Sequence, residues 1–277
     1  PARYVELLQV VGERQARLVS SWLGVGFIHG VMNTDNMSIA GETIDYGPCA
    51  FMDEYDPATV FSSIDHVGRY RYENQLGIVQ WNLARLAEAI LPLLDEDHEK
   101  AVNQATEIVE AFYPQAEECW LDVMRGKLGF KESRPDDREL VESLLTLMHE
   151  AQADFTLTFR CLWKGILAKE VPSELTDLVG ANAKVDKWFK SWRQRLLAEG
   201  VSPQEASERL RTTNPALIPR NHNVERVLSA AVKDSDFAPI HRLVEQLAKP
   251  YEASADSMPE AEPPRPGQRV TQTFCGT

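Results

Sequence analysis

Apolar residues recur at helical spacing over most of the chain, except for one stretch near its start. Between residues 4 and 23, Leu7, Leu8, Val11, Leu18, Val19, Trp22 and Leu23 fall close to a 3.6-residue period, which predicts a helix. Gly24 and Gly26 break it. From 27 to 60 no helical period survives. Short apolar pieces (Phe27-Ile28, Met37-Ser38-Ile39, Thr43-Ile44) alternate with Gly, Asn and Asp. This predicts a loop, a short β-hairpin with strands 37–39 and 43–45 turning at Ala40-Gly41-Glu42, and a second loop. From about residue 73 the helical period returns, with Leu76, Val79, Leu83, Leu86, Ile90 and Leu93 on one face. Further helices are predicted over 97–112, 116–125, 137–150, 152–168, 182–198, 203–211, 223–232 and 236–248. Val185, Trp188, Phe189, Trp192 and Leu196 form a broad apolar stripe, as do Phe237, Ile240, Leu243, Val244 and Leu247. Such stripes are core faces far more often than cofactor boxes. Pro172, Pro203 and Pro215 stand where helices start or stop.

Residues 254–267 read SADSMPEAEPPRPG, rich in Pro and Glu with few large apolar groups. That composition predicts a flexible linker, because too little surface can be buried to offset the entropy of ordering. The last residues, RVTQTFCGT, regain β-branched and aromatic groups and are predicted to dock. The predicted organisation is therefore a segment 1–95 holding the loop region, a helical remainder 96–252, and a tail 253–277. The chain opens on Pro1 with a helix under way within a few residues. This predicts a piece of something longer.

A chain of 277 residues that is 43% hydrophobic can build one large core or two modest ones. The formal net charge of −13 disfavours general binding to nucleic acid or anionic membranes, though a single divalent cation can invert the field locally. No stretch approaches the roughly 20 apolar residues of a membrane span, and no signal peptide pattern opens the chain. Cys49, Cys119, Cys161 and Cys275 form no CxxC pair, so a zinc knuckle and a disulfide scaffold are both disfavoured. The predicted setting is a reducing cytoplasm. Cys275, on the polar tail, is either an unimportant terminal thiol or a redox-active one.

Candidate chemistry concentrates in His29-Gly30-Val31-Met32-Asn33-Thr34-Asp35-Asn36 and Thr43-Ile44-Asp45-Tyr46-Gly47-Pro48. If the hairpin forms, Asp35, Asn36 and Asp45 converge at its open end. Hard oxygen ligands converging in a loop suit Mg²⁺ or Mn²⁺. Nucleotidyl and phosphoryl transfer need such a metal against phosphate oxygens, and a carboxylate near the attacking hydroxyl. Asp35 resembles the catalytic-loop Asp of protein kinases, and Asp45-Tyr46-Gly47 resembles their DFG motif. The four-residue kinase gap between the loop Asp and its Asn is absent here. On the pattern alone, an Asx-rich turn on an ordinary structural hairpin accounts for the same residues.

The run HGVMNTDNMSIAGETIDYGPCAFMDEYDP closely resembles the selenoprotein O family of kinase-like proteins. Asp65-His66-Val67-Gly68-Arg69-Tyr70, Asn74-Gln75, Trp81-Asn82-Leu83, Arg85-Leu86, Asn214-Pro215, Arg220-Asn221, Pro250-Tyr251 and the ending Phe274-Cys275-Gly276-Thr277 extend the likeness along nearly the whole chain. The resemblance implies a mainly α fold. It would be a protein-kinase-like C-lobe whose short β-hairpin carries the catalytic and DYG loops, followed by a helical C-terminal extension. It implies transfer of AMP from ATP to Ser, Thr or Tyr hydroxyls of proteins, with Mg²⁺ or Mn²⁺. Asp35 would be the proton acceptor, Asn36 and Asp45 the metal ligands, and Asp45 would also lie against the nucleotide phosphates. The family's phosphate-binding Lys and its Glu partner belong to an N-lobe with no match here, so that lobe is an expected partner of this chain. Some bacterial members pair a loop Cys with the terminal Cys. The aligned loop position here is Phe61, which leaves Cys49 as a substitute partner for Cys275.

Two other readings stand beside this one: a protein kinase moving the γ-phosphoryl group, and a non-catalytic, pseudokinase-like interaction module. His29 resembles the kinase catalytic-loop His and is expected to orient backbone rather than carry protons. His66 and Arg69 are expected either on a plain surface loop or against a protein substrate. Lys127, Lys131 and Arg134 are expected as a solvated basic face. Asp53, Glu54 and Asp56 lack the Gly and spaced Glu of an EF-hand.

Overall fold

The computed structural model describes residues 2–168 and 170–274. The chain is mainly helical and divides into two compact units. The first comprises Pro1–Cys49, Pro57–Val123 and Gln272–Thr277; the second comprises Ala50–Asp56 and Met124–Thr271.

In the first unit, α1 (Ala2–Gly24) buries Leu8, Val11, Val19, Trp22 and Leu23 of the stripe visible in the sequence, together with Ala16, while Leu7 is exposed and Leu18 half-buried. It packs on α2 (Gln75–Leu94), which buries Leu76, Ile78, Val79 and Leu83. The close approach of α1 to α3 (His98–Lys127) is set by Gly24, where a Cβ would stand 2.5 Å from Val123 Cγ1. The sequence predicts two helices over 97–125, and the structure has one. Pro114 lies inside α3 on its exposed side. The carbonyl that loses its partner there, that of Glu110, belongs to an exposed residue and can be hydrated, so the helix continues. Between α1 and α2 the unit carries the two-residue strand β1 (Phe27–Ile28) and then irregular chain. The predicted hairpin is reduced to a single antiparallel bridge, Met37 to Thr43, closed by a turn in which Gly41 N–H donates to Ser38 O at 3.0 Å. With Gly41 at φ +75° and Arg14 Cβ 2.7 Å from where its Cβ would be, the turn lies tight against α1, and full strands do not develop.

The second unit holds strand β2 (Ala50–Phe51), α4 (Asp137–Ala151), α5 (Phe155–Gly165), α6 (Ser173–Val179), α7 (Ala183–Leu197), α8 (Pro203–Thr213), α9 (Asn221–Asp234) and α10 (Ala238–Leu247). Its core is the predicted α7 stripe: Val185, Trp188, Phe189, Trp192 and Leu196 are all buried. The two indoles stack with ring centroids 5.7 Å apart, and their N–H groups donate to Leu140 O and Leu128 O, each at 2.9 Å. Helix starts follow side-chain chemistry. Asp154 caps α5 through Leu157 N, Asn182 caps α7, and Ser202 with Glu205 forms a capping box on α8 with Pro203 next to it.

Three expectations need correction in this unit. Of the predicted apolar stripe on α10 only Leu243 is buried, while Phe237 and Val244 face solvent. Lys127 is not on a solvated face but buried, its ammonium 4.2 Å from the Phe159 ring centroid and 5.3 Å from that of Phe155. Desolvation lowers its pKa to about 7. The segment 254–267 is not a free linker. Ala255 and Ala261 are buried against Ala216 and Leu217, and Met258 packs beside them. Asp256 accepts from Arg160 at 2.8 Å through both carboxylate oxygens. Small alanines and charged anchors do here what large apolar groups usually do. Among the described residues, no helix is long and apolar enough to cross a membrane.

Candidate functional site

The site lies in the first unit, in the chain that links α1 to residue 49 and in the loop that follows residue 57. His29 sits fully buried at its base. Its ring lies 5.4 Å from that of Trp22, whose Nε1–H donates to Thr43 Oγ1 at 2.9 Å. His29 Nε2 is 2.8 Å from Ile44 O, and Val31 N–H points at Nδ1 at 3.4 Å. A carbonyl on one nitrogen and an N–H on the other define a neutral imidazole protonated at Nε2. Burial lowers its pKa, opposed by the bond to Ile44 O and the charge of Asp45. His29 therefore clamps backbone, as expected. Gln75, also fully buried, holds the same strand from the other side: its Oε1 accepts from His29 N at 3.1 Å and its Nε2 donates to Phe27 O at 3.0 Å.

Gly30, at φ +84°, brings this segment against Pro48, leaving 3.0 Å between Pro48 O and the position a Cβ would take. Asn36 follows in a 3₁₀ turn, Thr34–Asn36. Its Nδ2 donates to Val31 O at 3.0 Å, which fixes the amide. Asn82 braces the loop from α2, donating to Met32 O at 3.0 Å and contacting Met37 Sδ at 2.6 Å. Asp35 is exposed and accepts no hydrogen bond among the described residues. Asp45 is exposed too and has φ +52°, a left-handed conformation that Asp tolerates better than most side chains. Its Oδ1 accepts from Gly47 N at 3.3 Å. Tyr46 is 63% exposed.

The Met37–Thr43 bridge sets the geometry of the candidate set. Asp35 and Asn36 lie just before the bridged loop and Asp45 two residues after it, so the bridge brings their backbone segments to the same end of the loop. The donor set is two carboxylates and a carboxamide, hard oxygens suited to Mg²⁺ or Mn²⁺. Among the described residues, no group of three His, Cys, Asp or Glu side chains forms a metal site.

The loop after the site is tied to it by residues whose contacts the sequence does not announce. Tyr70 OH donates to Asn33 Oδ1 at 2.5 Å, and both oxygens of Asp65 accept backbone N–H groups, from Arg69 at 2.8 Å and Tyr70 at 2.7 Å. The guanidinium of Arg69 stacks 4.6 Å from the Trp81 ring centroid. His66, like Arg69, is in this loop and exposed. Gln75, Asn82, Tyr70 and Asn33 are supports to which sequence reasoning assigns no role, although all four fall in the motifs singled out above. Apart from that, their only signal is a polar residue interrupting an apolar face of α2, or an Asn beside the Asp35-Asn36 pair. Cys49 is half-buried with its Sγ 3.2 Å from Tyr46 O, and burial raises its pKa, which keeps it a thiol. Among the described residues, Cys49, Cys119 and Cys161 form no disulfide. The expected Cys49–Cys275 pairing lies outside the described residues.

Comparison with known proteins shows the family of the chain. The sequence model of the family described as "Protein adenylyltransferase SelO" matches residues 1–248. Three similar proteins each carry the name "Protein nucleotidyltransferase YdiU". That of Rhizobium rhizogenes is 52% identical over 277 residues, 99% of this chain and 55% of the relative. That of Bradyrhizobium diazoefficiens is also 52% identical, over 99% and 56%. That of Maridesulfovibrio salexigens is 48% identical over 274 residues, 99% and 55%. The chain thus spans about half the length of the curated relatives it matches. On the family match and these identities, the chain belongs to the SelO family of protein adenylyltransferases.

Proposed function

We propose that this chain supplies the catalytic and metal-binding part of a cytoplasmic protein adenylyltransferase with a protein-kinase-like arrangement. It would use ATP and transfer AMP to Ser, Thr or Tyr hydroxyls of protein substrates. The observation that carries this reading is the bridged loop with Asp35, Asn36 and Asp45 at its open end, held by His29, Gln75 and Asn82. A divalent cation bound there would neutralise charge on the triphosphate and orient its α-phosphorus. Asn36 Oδ1 and the Asp45 carboxylate are its ligands from this chain, and Asp45 lies against the phosphates. Asp35, exposed and without a hydrogen-bond partner among the described residues, accepts the proton of the acceptor hydroxyl. The hydroxyl oxygen bonds to the α-phosphorus, the bond from that phosphorus to the bridging oxygen breaks, and pyrophosphate leaves. The Lys and Glu expected to grip the phosphates from an N-lobe are sought in the length of the relatives that this chain does not span.

Intact-mass analysis of a protein substrate tests the reading. An adduct of about 329 Da marks AMP transfer, and one of about 80 Da would mark γ-phosphoryl transfer instead. Asp45→Ala in the longest available form of the protein removes the adduct. Retained transfer refutes the metal role of Asp45.

A further inference from the structure

Residues 61–63, in the loop tied to the site, already pair with an extended segment of polypeptide. Thr273 N–H donates to Phe61 O at 2.8 Å and Ser63 N–H donates to Thr273 O at 3.0 Å, a parallel bridge centred on Ser62. The Thr273 hydroxyl reaches further and donates to Pro48 O, three residues after Asp45. A hydroxyl-bearing residue thus lies in extended conformation beside the candidate catalytic loop. The segment is held by polar contacts, and ahead of it Arg269 pairs with the Glu54 carboxylate. Thr271, Gln272 and Phe274 are exposed, Phe274 to 70%, so few apolar contacts secure the strand beyond these bonds. Next to the pairing edge the loop presents two large apolar side chains to solvent, Ile64 at 62% exposure and Val67 at 86%. They are not on a floppy tip. Asp65 takes the N–H groups of Arg69 and Tyr70, Asn74 Nδ2 donates to Arg69 O at 2.6 Å, and Tyr70 fixes the loop to Asn33. The Ser62 hydroxyl at the centre of the edge is buried and has no hydrogen-bond partner among the described residues.

From this arrangement we infer that the edge 61–63 with Ile64 and Val67 is the docking slot for the acceptor polypeptide, and that residues 272–274 occupy it as a tethered competitor. The partner is an extended polypeptide carrying a hydroxyl residue with an apolar neighbour. Main-chain bonds to Phe61 O and Ser63 N give it purchase, and contacts with Ile64 and Val67 give it preference, as in strand addition to a sheet edge. This inference rests on the proposed function for the identity of the partner, but its test is read without ATP.

The probe is fluorescein-labelled α-lactalbumin, reduced and carboxymethylated so that it stays extended, titrated with the 277-residue chain and followed by anisotropy. Thr273→Pro deletes the N–H to Phe61 O and the threonine hydroxyl, freeing the slot. The apparent Kd is expected to fall about tenfold, the equivalent of roughly 1.4 kcal/mol released from the competitor. Val67→Asp, at a solvent-exposed position where folding is not at stake, is expected to raise Kd about tenfold. A synthetic peptide of residues 269–274 is expected to compete with the probe, more effectively against Thr273→Pro than against the unsubstituted chain. Unchanged or weaker binding by Thr273→Pro, with helical circular dichroism retained, overturns the slot, as does unchanged affinity in Val67→Asp. Absence of AMP transfer in the mass assay would instead sink the proposed function and leave these affinities as they are.

Discussion

Arg220 offers the sharpest test of how the second unit is held together. Its guanidinium is fully buried. Nη1 donates to Asp53 Oδ1 at 2.6 Å and to Asp154 Oδ2 at 2.8 Å, Nη2 reaches Asp154 Oδ1 at 3.2 Å, and Nε donates to Ala261 O at 3.0 Å. Arg220→Met keeps most of the volume and removes the charge. Two carboxylates then remain in a desolvated site without their cation, and breaking such a buried pair costs about 3–5 kcal/mol. The carbonyl of Ala261 loses a donor, which costs about 1 kcal/mol more, while added apolar packing offsets part of the total. A net loss of about 4 kcal/mol corresponds to roughly a thousandfold in an opening equilibrium. Hydrogen exchange on peptides covering Trp188 to Trp192 reads this directly, without assuming that the two units unfold together. The loss should also depend on pH in a defined sense. Burial already raises the pKa of Asp53, with Arg220 the main opposing influence. Removing Arg220 raises it further. A carboxyl whose folded pKa exceeds its unfolded one loses stability as pH rises through the folded value. The deficit is therefore largest near neutrality and shrinks as the medium is acidified towards the ordinary carboxylate range. A loss below about 1 kcal/mol, or one flat with pH, would refute this account of a buried ion cluster as the organising contact.

Other substitutions probe the site and the core. Asp45→Asn keeps the tolerated left-handed backbone but removes the charge, and isothermal titration with Mg²⁺ and ATP is expected to show at least about a tenfold loss of metal affinity with little change in melting temperature. Gly30→Ala meets both the positive φ and Pro48 O, so it should cost about 1–2 kcal/mol in denaturant unfolding and weaken nucleotide binding through the loop. Lys127→Met should stabilise the second unit on the order of 3–4 kcal/mol at pH 6. With a folded pKa of about 7 against an ordinary value near 10.5, the unfolded chain binds more protons between those limits. The gain should fade as pH rises from 7 to 10.5, and a constant gain would show that the lysine is hydrated. His29 has a lowered pKa, so its contribution is complete above the ordinary histidine value and is lost as pH falls below it. Nucleotide binding should decline on the acid side, and His29→Gln should remove that decline.

Periodicity alone reveals the helices that bury a continuous stripe. The α7 face of Trp188, Phe189, Trp192 and Leu196 was legible because each of those residues packs inward. Where burial is achieved by other means, the pattern misleads. Pro114 suggests a break, yet α3 passes through it because the freed carbonyl lies on the solvent side. Residues 254–267 look soluble and loose, yet Ala255 and Ala261 dock and Asp256 is tied down by Arg160, an interaction across 96 positions that no local window contains. The seven-residue α6 is too short to show a period. At the candidate site, the types and order of Asp35, Asn36 and Asp45 single them out as candidates, and only the family likeness gives them their proposed roles. The residues that hold them, Gln75 and Asn82 on α2 and Tyr70 in the following loop, act over 37 to 50 positions and become visible only once the chain is folded.

The left-handed backbone at Asp45 narrows the paths by which descendants of this chain could drift. A β-branched or bulky replacement would strain the turn, so a lineage that abandons chemistry while keeping the fold is steered towards Asn or Gly at this position. On the proposed metal role of Asp45, a sequence collection sorted by the residue found there should separate working enzymes from retired ones, with Asn or Gly as the signature of retirement.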